Sequence, residues 1–213
     1  MTTMATGQRG FSLRVPDSWF AFDVRRATRT GDLARLVDAR TAAQPRLRPY
    51  RSALLKLLRE AADRAERRGA VYCAAAPGDD PGGGAIATLL VFQTVGADGP
   101  AGNTVGAIAG ALVARAPSRP GGPWRTVEIA TTPAGEAVRV RAVEPAALDG
   151  GATVDTVTMQ TLIPVPATDH EELRAGVLNV VLTSPHVGLA DPLLDLFEAI
   201  SDTLQWSTSD LPV

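Results

Sequence analysis

Val177-Leu178-Asn179-Val180-Val181-Leu182, followed beyond Ser184-Pro185 by Asp191-Pro192-Leu193-Leu194-Asp195-Leu196-Phe197, is the stretch that decides the fold. Leu178, Val180 and Leu182 alternate with Val177, Asn179 and Val181, so an extended chain here is mostly apolar on both faces. Such a strand belongs inside a sheet that is covered on both sides. Asp191 suits a helix N-cap and Pro192 the first helical position, so a helix is predicted to start there. Its apolar stripe is Leu189, Leu193, Leu196, Phe197, Ile200 and Leu204, with Asp191, Asp195, Glu198 and Asp202 on the opposite, wet side.

Working outward, Thr153 to Ile163 predicts a strand with Val157, Met159 and Ile163 on one face and Thr156, Thr158 and Gln160 on the other; Pro164 and Pro166 end it. Upstream, Thr132-Pro133-Ala134-Gly135 has proline and glycine where a type I turn accepts them. The resulting hairpin sets Ile129 opposite Val138, Val127 opposite Val140 and Glu128 opposite Arg139, which is consistent on both faces. Ala70 to Ala76 and Ala85 to Thr94 predict two strands joined by the loop Pro77 to Gly84. In the second, Ile86, Leu90 and Phe92 face one way and Leu89 and Val91 the other. At the N-terminal end, Phe11, Leu13, Val15 and then Phe20, Phe22, Val24 recur at every second residue about a turn at Pro16-Asp17. They predict a hairpin with Trp19 at its corner.

Three further helices are expected. Thr30-Gly31-Asp32 precedes a short one through Leu33, Leu36 and Val37 that stops near Pro45. Pro49 opens a longer one with the apolar stripe Tyr50, Leu54, Leu57, Leu58, Ala61 and Ala65. Its wet side offers the pairs Lys56/Glu60, Glu60/Arg64, Arg59/Asp63 and Asp63/Arg67, and Gly69 is placed to end it. Asn103 can cap a small-residue helix through Arg115, in which Gly106 and Gly110 permit close approach to the sheet. Hairpin-linked strands favour an antiparallel sheet, and helices on separate segments can cover both of its sides. The chain reads as one α+β domain over 10–207, with tails at 1–9 and 208–213.

The 213 residues are 45% apolar, enough for a sizeable core in one domain, and the net charge of -2 favours neither nucleic acid nor membrane surface. Charge is nonetheless uneven: residues 1 to 70 hold 15 Arg/Lys against 7 Asp/Glu, a net of +8, and the remainder carries -10. Of the basic residues only Lys56 is not arginine, and they alternate with acids. Cys73 is the lone cysteine, so no intramolecular disulfide and no four-cysteine zinc site can form; in Val71-Tyr72-Cys73-Ala74 it reads as a small core residue. Val105 to Ala114, the longest small-apolar run, is about half the roughly 20 residues a membrane helix needs. No cleavable signal is evident in Met1 to Arg14, so the cytoplasm is the expected location.

Three segments in order carry a resemblance: Val15-Pro16-Asp17-Ser18-Trp19, the hairpin Pro133-Ala134-Gly135-Glu136-Ala137-Val138-Arg139, and Val181-Leu182-Thr183-Ser184-Pro185 followed by Leu193-Leu194-Asp195-Leu196-Phe197-Glu198-Ala199-Ile200. Together they resemble actinobacterial, LpqN-like members of the Mog/PsbP-like group. The resemblance implies an α/β/α sandwich around a mainly antiparallel sheet of about six to eight strands. Members of that wider group are mostly non-enzymatic: partners of a small GTPase, photosystem subunits, and lipoproteins that bind other proteins. The lipidation cysteine of those lipoproteins has no match here, and no catalytic residue carries over.

Candidate chemistry is sparse. His170, within Asp169-His170-Glu171-Glu172, lacks the second histidine of a His-Glu-x-x-His helix and reads as an exposed turn residue. Ser184 and His186 suggest a nucleophile and base but stand too close in sequence for groups normally brought together from separate segments. Gly82-Gly83-Gly84 follows a strand but lacks a Gly-Lys-Ser/Thr ending and a helix behind it, and Asp79-Asp80 lacks a calcium-loop spacing. Trp124 and Trp206 read as packing residues at element ends. Arg25, Arg26 and Arg29 are the densest basic group outside a helix end and the candidate partner-binding surface. The expectation is a non-enzymatic protein-interaction module, without cofactor or metal, serving as adaptor or chaperone-like accessory of a larger assembly such as a secretion system. Its partner is another protein, with no nucleic acid and no membrane insertion. The alternatives are a binder of a small apolar ligand between sheet and helices, suggested by the small residues of Val105 to Ala114, and a hydrolase using His170 or His186.

Overall fold

A computed structural model describes residues 10–24, 29–43, 45–76, 86–95, 100–113, 124–147, 153–166 and 176–207. The tails expected at 1–9 and 208–213 lie outside the described residues. In chain order the elements are β1 (Gly10–Ser12), β2 (Phe20–Asp23), α1 (Arg29–Ala43), α2 (Arg51–Arg67), β3 (Ala70–Ala76), β4 (Ala87–Val95) and α3 (Val105–Val113). Then follow β5 (Trp124–Thr132), β6 (Gly135–Ala147), β7 (Thr153–Pro164), β8 (Gly176–Ser184), α4 (Ala190–Ser201) and β9 (Gln205–Ser207). Short 3-10 turns at Pro45–Tyr50, Pro100–Asn103 and Val187–Leu189 lead into α2, α3 and α4.

Seven strands form an antiparallel sheet in the order β2-β3-β4-β8-β7-β6-β5, which puts β8 fourth of seven, the interior position its two apolar faces predict. On one face Leu178, Val180 and Leu182 pack with Leu89, Val91, Val157, Met159 and Ile163 beneath Leu193, Phe197 and Ile200 of α4. On the other face Phe20, Cys73, Leu90 and Phe92 pack with Leu33 and Val37 of α1 and Leu58, Ala62 and Ala65 of α2. α3 lies against β5, β6 and β7. The result is an α+β sandwich with helices on both faces of the sheet. Fully burying one such large side chain contributes about 1.5–3 kcal/mol.

The β5–β6 hairpin has the predicted register, with Ile129 opposite Val138, Val127 opposite Val140 and Glu128 opposite Arg139. Gly135 sits at φ +120°, and the Thr132 hydroxyl donates to its carbonyl over 2.8 Å. Glycine is needed there because a side chain disfavours that backbone. Gly69, at φ +80°, ends α2 as expected, its N–H donating to the Glu66 carbonyl.

Other local readings change because distant segments intervene. β1 does not pair with β2. It pairs with β9, Phe11 opposite Trp206, while the Arg14 N–H donates to Thr203 Oγ1 and β2 pairs with β3. Phe11, Leu13 and Trp19 all reach the core under α4, and that shared burial, unavailable to a free hairpin, takes the first run across the molecule. α1 begins at Arg29, ahead of Thr30-Gly31-Asp32, and α2 at Arg51, Pro49 lying in the 3-10 turn before it. α4 starts at Ala190 with Leu189 as cap, because the 3-10 turn already winds the chain; Asp191 and Pro192 sit inside the first turn. Proline is tolerated there since first-turn N–H groups have no intrahelical acceptor, and aspartate faces the positive end of the helix dipole. Leu189 and Leu196 are exposed, at 45% and 36%, and Leu194 is buried in their stead. Thr104, not Asn103, caps α3, its hydroxyl accepting from the Ala107 N–H. Gly106 and Gly110 do not approach the sheet: both are exposed, and an added Cβ would meet nothing within 4 Å.

Glu198 and Asp202, read above as solvent-facing, turn to the sheet. Arg139 of β6 is buried, its side chain 4% exposed, and binds Glu198 through Nη1 and Asp202 through Nη2 at 2.6 Å. Arg141 binds the other Glu198 oxygen at 2.6 Å and Glu128 at 3.2 Å. Two arginines thus share one carboxylate and clamp the end of α4, where cations also oppose the negative pole of the helix.

Gly106→Ala and Gly110→Ala should each stabilise the fold by about 0.5–1 kcal/mol, from helix propensity alone. Gly69→Ala should destabilise it by about 1–2 kcal/mol through the left-handed backbone. Urea unfolding of the three variants checks both. In the same assay Glu198→Ala with Asp202→Ala strands a buried guanidinium and should cost about 3–5 kcal/mol. Arg139→Met keeps the packed stem and leaves only half-exposed carboxylates, so it should cost less.

Candidate functional site

Beside α2 the sheet carries an open groove of about 360 Å³, lined by Arg68, Thr88, Leu90, Phe92, Glu144, Pro145, Ala146, Thr156, Thr158, Gln160, Val181 and Thr183. Strand register builds its floor. Thr88 of β4, Thr183 of β8 and Thr158 of β7 lie directly opposite one another, forming a hydroxyl row across three strands. The next row inward, Leu90, Val181 and Gln160, is two-thirds apolar. Arg68, which caps the C-terminus of α2, supplies a cation at one side, and Glu144 near the end of β6 an anion at the other.

The hydroxyls are tied to the frame and to one another. Thr88 Oγ1 and Thr183 Oγ1 lie 2.7 Å apart, and Thr156 Oγ1 donates to the Glu144 carbonyl at 3.0 Å and stands 3.4 Å from Thr158 Oγ1. Each threonine hydroxyl has one proton and two lone pairs, so a hydroxyl bound to one neighbour keeps acceptor capacity for a guest. The volume lies in the range of about 300–1,000 Å³ typical of ligand clefts, and the lining combines an apolar wall with a few fixed polar groups, as such clefts do. The lining contains neither imidazole nor thiol. No α3 residue lines it either.

The other candidates disperse. Ser184 is buried, and its hydroxyl donates to the Ile86 carbonyl at 2.7 Å and accepts the backbone N–H of His186 at 3.2 Å. It is a structural pin for the strand end, its proton committed to a backbone carbonyl. His186 Nε2 is buried without a hydrogen-bond partner among the described residues. Arg25, Arg26, His170, Asp79, Asp80 and Gly82 to Gly84 lie outside the described residues, and Arg29 opens α1 with its side chain likewise outside them. Trp124 is exposed, not packed, whereas the Trp206 indole N–H donates to the Ala134 carbonyl at 2.8 Å and holds the β5–β6 turn. Among the described residues no group of three or more His, Cys, Asp or Glu is placed to hold a metal, and no helix is long and apolar enough to cross a membrane. Of the groove threonines, Thr156 and Thr158 were visible in sequence as the polar face of β7, and Thr88 and Thr183 were not.

The architecture defines a class: an α+β sandwich with a wide antiparallel sheet and helices on both of its faces. No family model matches the chain, and no curated protein sequence does. Among solved structures it is similar to LpqN of Mycobacterium tuberculosis, a protein involved in cell envelope biogenesis, with 13% identity and a TM-score of 0.51 over 97% of this chain and 90% of that one. At that identity the likeness is one of fold alone, a distant LpqN-like fold relationship.

Cys73 is a core residue, as expected: burial pushes its thiol from 9.0 up to about 12. Burial, followed by the neighbouring Cys73, likewise raises the Tyr72 hydroxyl from 10.0 to about 12. Both groups are neutral when protonated, so the unfolded chain loses their protons first. Their contribution is complete below about pH 9 and should fade as pH rises towards 12. Melting temperatures across that window should fall for the native chain and less steeply for Cys73→Ala. Native Cys73 should also resist thiol reagents until the protein unfolds.

Proposed function

We propose that this chain is a non-enzymatic interaction module, an adaptor or chaperone-like accessory acting from the cytoplasm on a larger assembly that serves the cell envelope. The observation that carries the reading is the preformed groove beside α2, whose hydroxyls are held in place by the frame and by each other while keeping acceptor capacity for a guest, a lining that suits recognition better than bond making. The LpqN-like fold supports the envelope association, since LpqN is involved in cell envelope biogenesis. A segment of another protein is the proposed occupant: backbone amides and small polar side chains match threonines and Gln160, and apolar side chains match Leu90, Phe92 and Val181. The volume also favours a second reading, a small amphiphilic ligand in the same groove.

Thr183→Arg puts a long cation into the middle of the groove floor. Pull-down from native lysate should capture a defined protein with the original chain and lose it with Thr183→Arg, while Arg59→Ala on the wet side of α2 leaves capture intact. Equal capture by all three, or none, would sink the proposal. Native mass spectrometry showing a small molecule bound to the original chain and absent from Thr183→Arg would favour the second reading.

A further inference from the structure

The seven-stranded sheet ends in two unlike edges. β2 is four residues long and contacts α1. β5 is nine residues long, pairs with β6 through an unbroken register, and has no strand on its outer side among the described residues. Natural edges are usually blunted by brevity, proline, charged side chains or a bulge; Trp124-Arg125-Thr126-Val127-Glu128-Ile129-Ala130-Thr131-Thr132 is long, regular and free of proline, and its only charges are Arg125 and Glu128. The two-residue turn makes Thr132 and Gly135 the closing pair. Alternation of the antiparallel ladder then directs the N–H and C=O groups of Arg125, Val127, Ile129 and Thr131 outward. Two large apolar side chains on this strand stand open, Ile129 at 59% and Trp124 at 41%.

Arg125 indicates what fits there. Its Nε is buried and has no hydrogen-bond partner among the described residues. Along β5 it shares a sheet face with Val127, Ile129 and Thr131, none of them acidic, and it forms no ion pair with Glu144, the residue of that face next beyond its cross-strand partner Ala142. Antiparallel pairing with a second copy keeps residues of one face opposite residues of the same face, so no such register brings a carboxylate to Arg125. The fully overlapping register would also set Glu128 against Glu128, and like charges directly opposite are destabilising.

We propose that the outer edge of β5 is a docking site for an extended segment of a partner protein, added antiparallel as an eighth strand. The segment carries an Asp or Glu opposite Arg125 and apolar residues opposite Val127 and Ile129, so it reads apolar-x-apolar-x-acidic. Backbone hydrogen bonds supply the hold and the alternate side chains the selectivity. This surface is separate from the groove and stands whether or not the groove reading does.

The test uses the full chain and a capped peptide, Thr-Val-Thr-Val-Thr-Asp-Thr, beside the same peptide with Lys for Asp. The Asp peptide should bind about tenfold more tightly than the Lys peptide, slow amide exchange at Arg125, Val127, Ile129 and Thr131, and bind Thr183→Arg equally well. Arg125→Glu should invert the preference. Ile129→Pro removes an outward N–H without touching the ladder to β6 and should abolish binding. Binding without protection of those four amides, indifference to Arg125→Glu, or no binding of either peptide would overturn the proposal. So would a concentration-dependent dimer that protects the same amides in the absence of peptide, which would assign the edge to a second copy.

Discussion

A strand that is mostly apolar on both faces disfavours water on either, and β8 is such a strand. Its place in the middle of the sheet forces cover above and below: α4 over Leu178, Val180 and Leu182, and α1 with α2 over the neighbouring Leu90 and Phe92. That cover is not complete. α3 has nine residues, about 14 Å of helix, against thirteen residues of β6, about 43 Å of strand. Where the helices stop, the floor changes from Leu and Val to Thr88, Thr183 and Thr158, and the groove is that change of surface.

Clamping α4 takes more than apolar contact. The helix carries two carboxylates, Glu198 and Asp202, on the edge of its buried side, and β6 presents Arg139 and Arg141 beneath them. A buried guanidinium with several hydrogen bonds is weak evidence for net stability, since desolvation offsets much of the attraction. It does fix orientation. Sliding α4 by one turn would leave Arg139 without its paired acceptors, whereas a purely apolar contact would tolerate the slip.

How much of this was legible depended on how far away the answer lay. The β5–β6 hairpin was readable because its turn and both sets of facing residues sit within a few positions of one another, and β7 because its two faces differ in chemistry. β1 has the same alternation as a hairpin strand, yet its partner is Gln205–Ser207, nearly the whole chain away. Glu198 and Asp202 fell on the wet side of a helical wheel because the wheel does not know that Arg139 waits below. The threonine row needs three registers at once, Thr88 with Thr183 and Thr183 with Thr158, and no local window contains them. The sandwich was therefore visible as a pattern, while its site was a product of assembly.

The pairing of Gly10 with Ser207 brings the two ends of the described domain side by side. Chain therefore enters and leaves at one corner, away from the threonine groove. A domain so arranged can hang as a pendant from a host sequence, or be reopened elsewhere and rejoined there, without rethreading its sheet. Tension applied across that corner would peel the short β1–β9 ribbon before loading any of the seven strands.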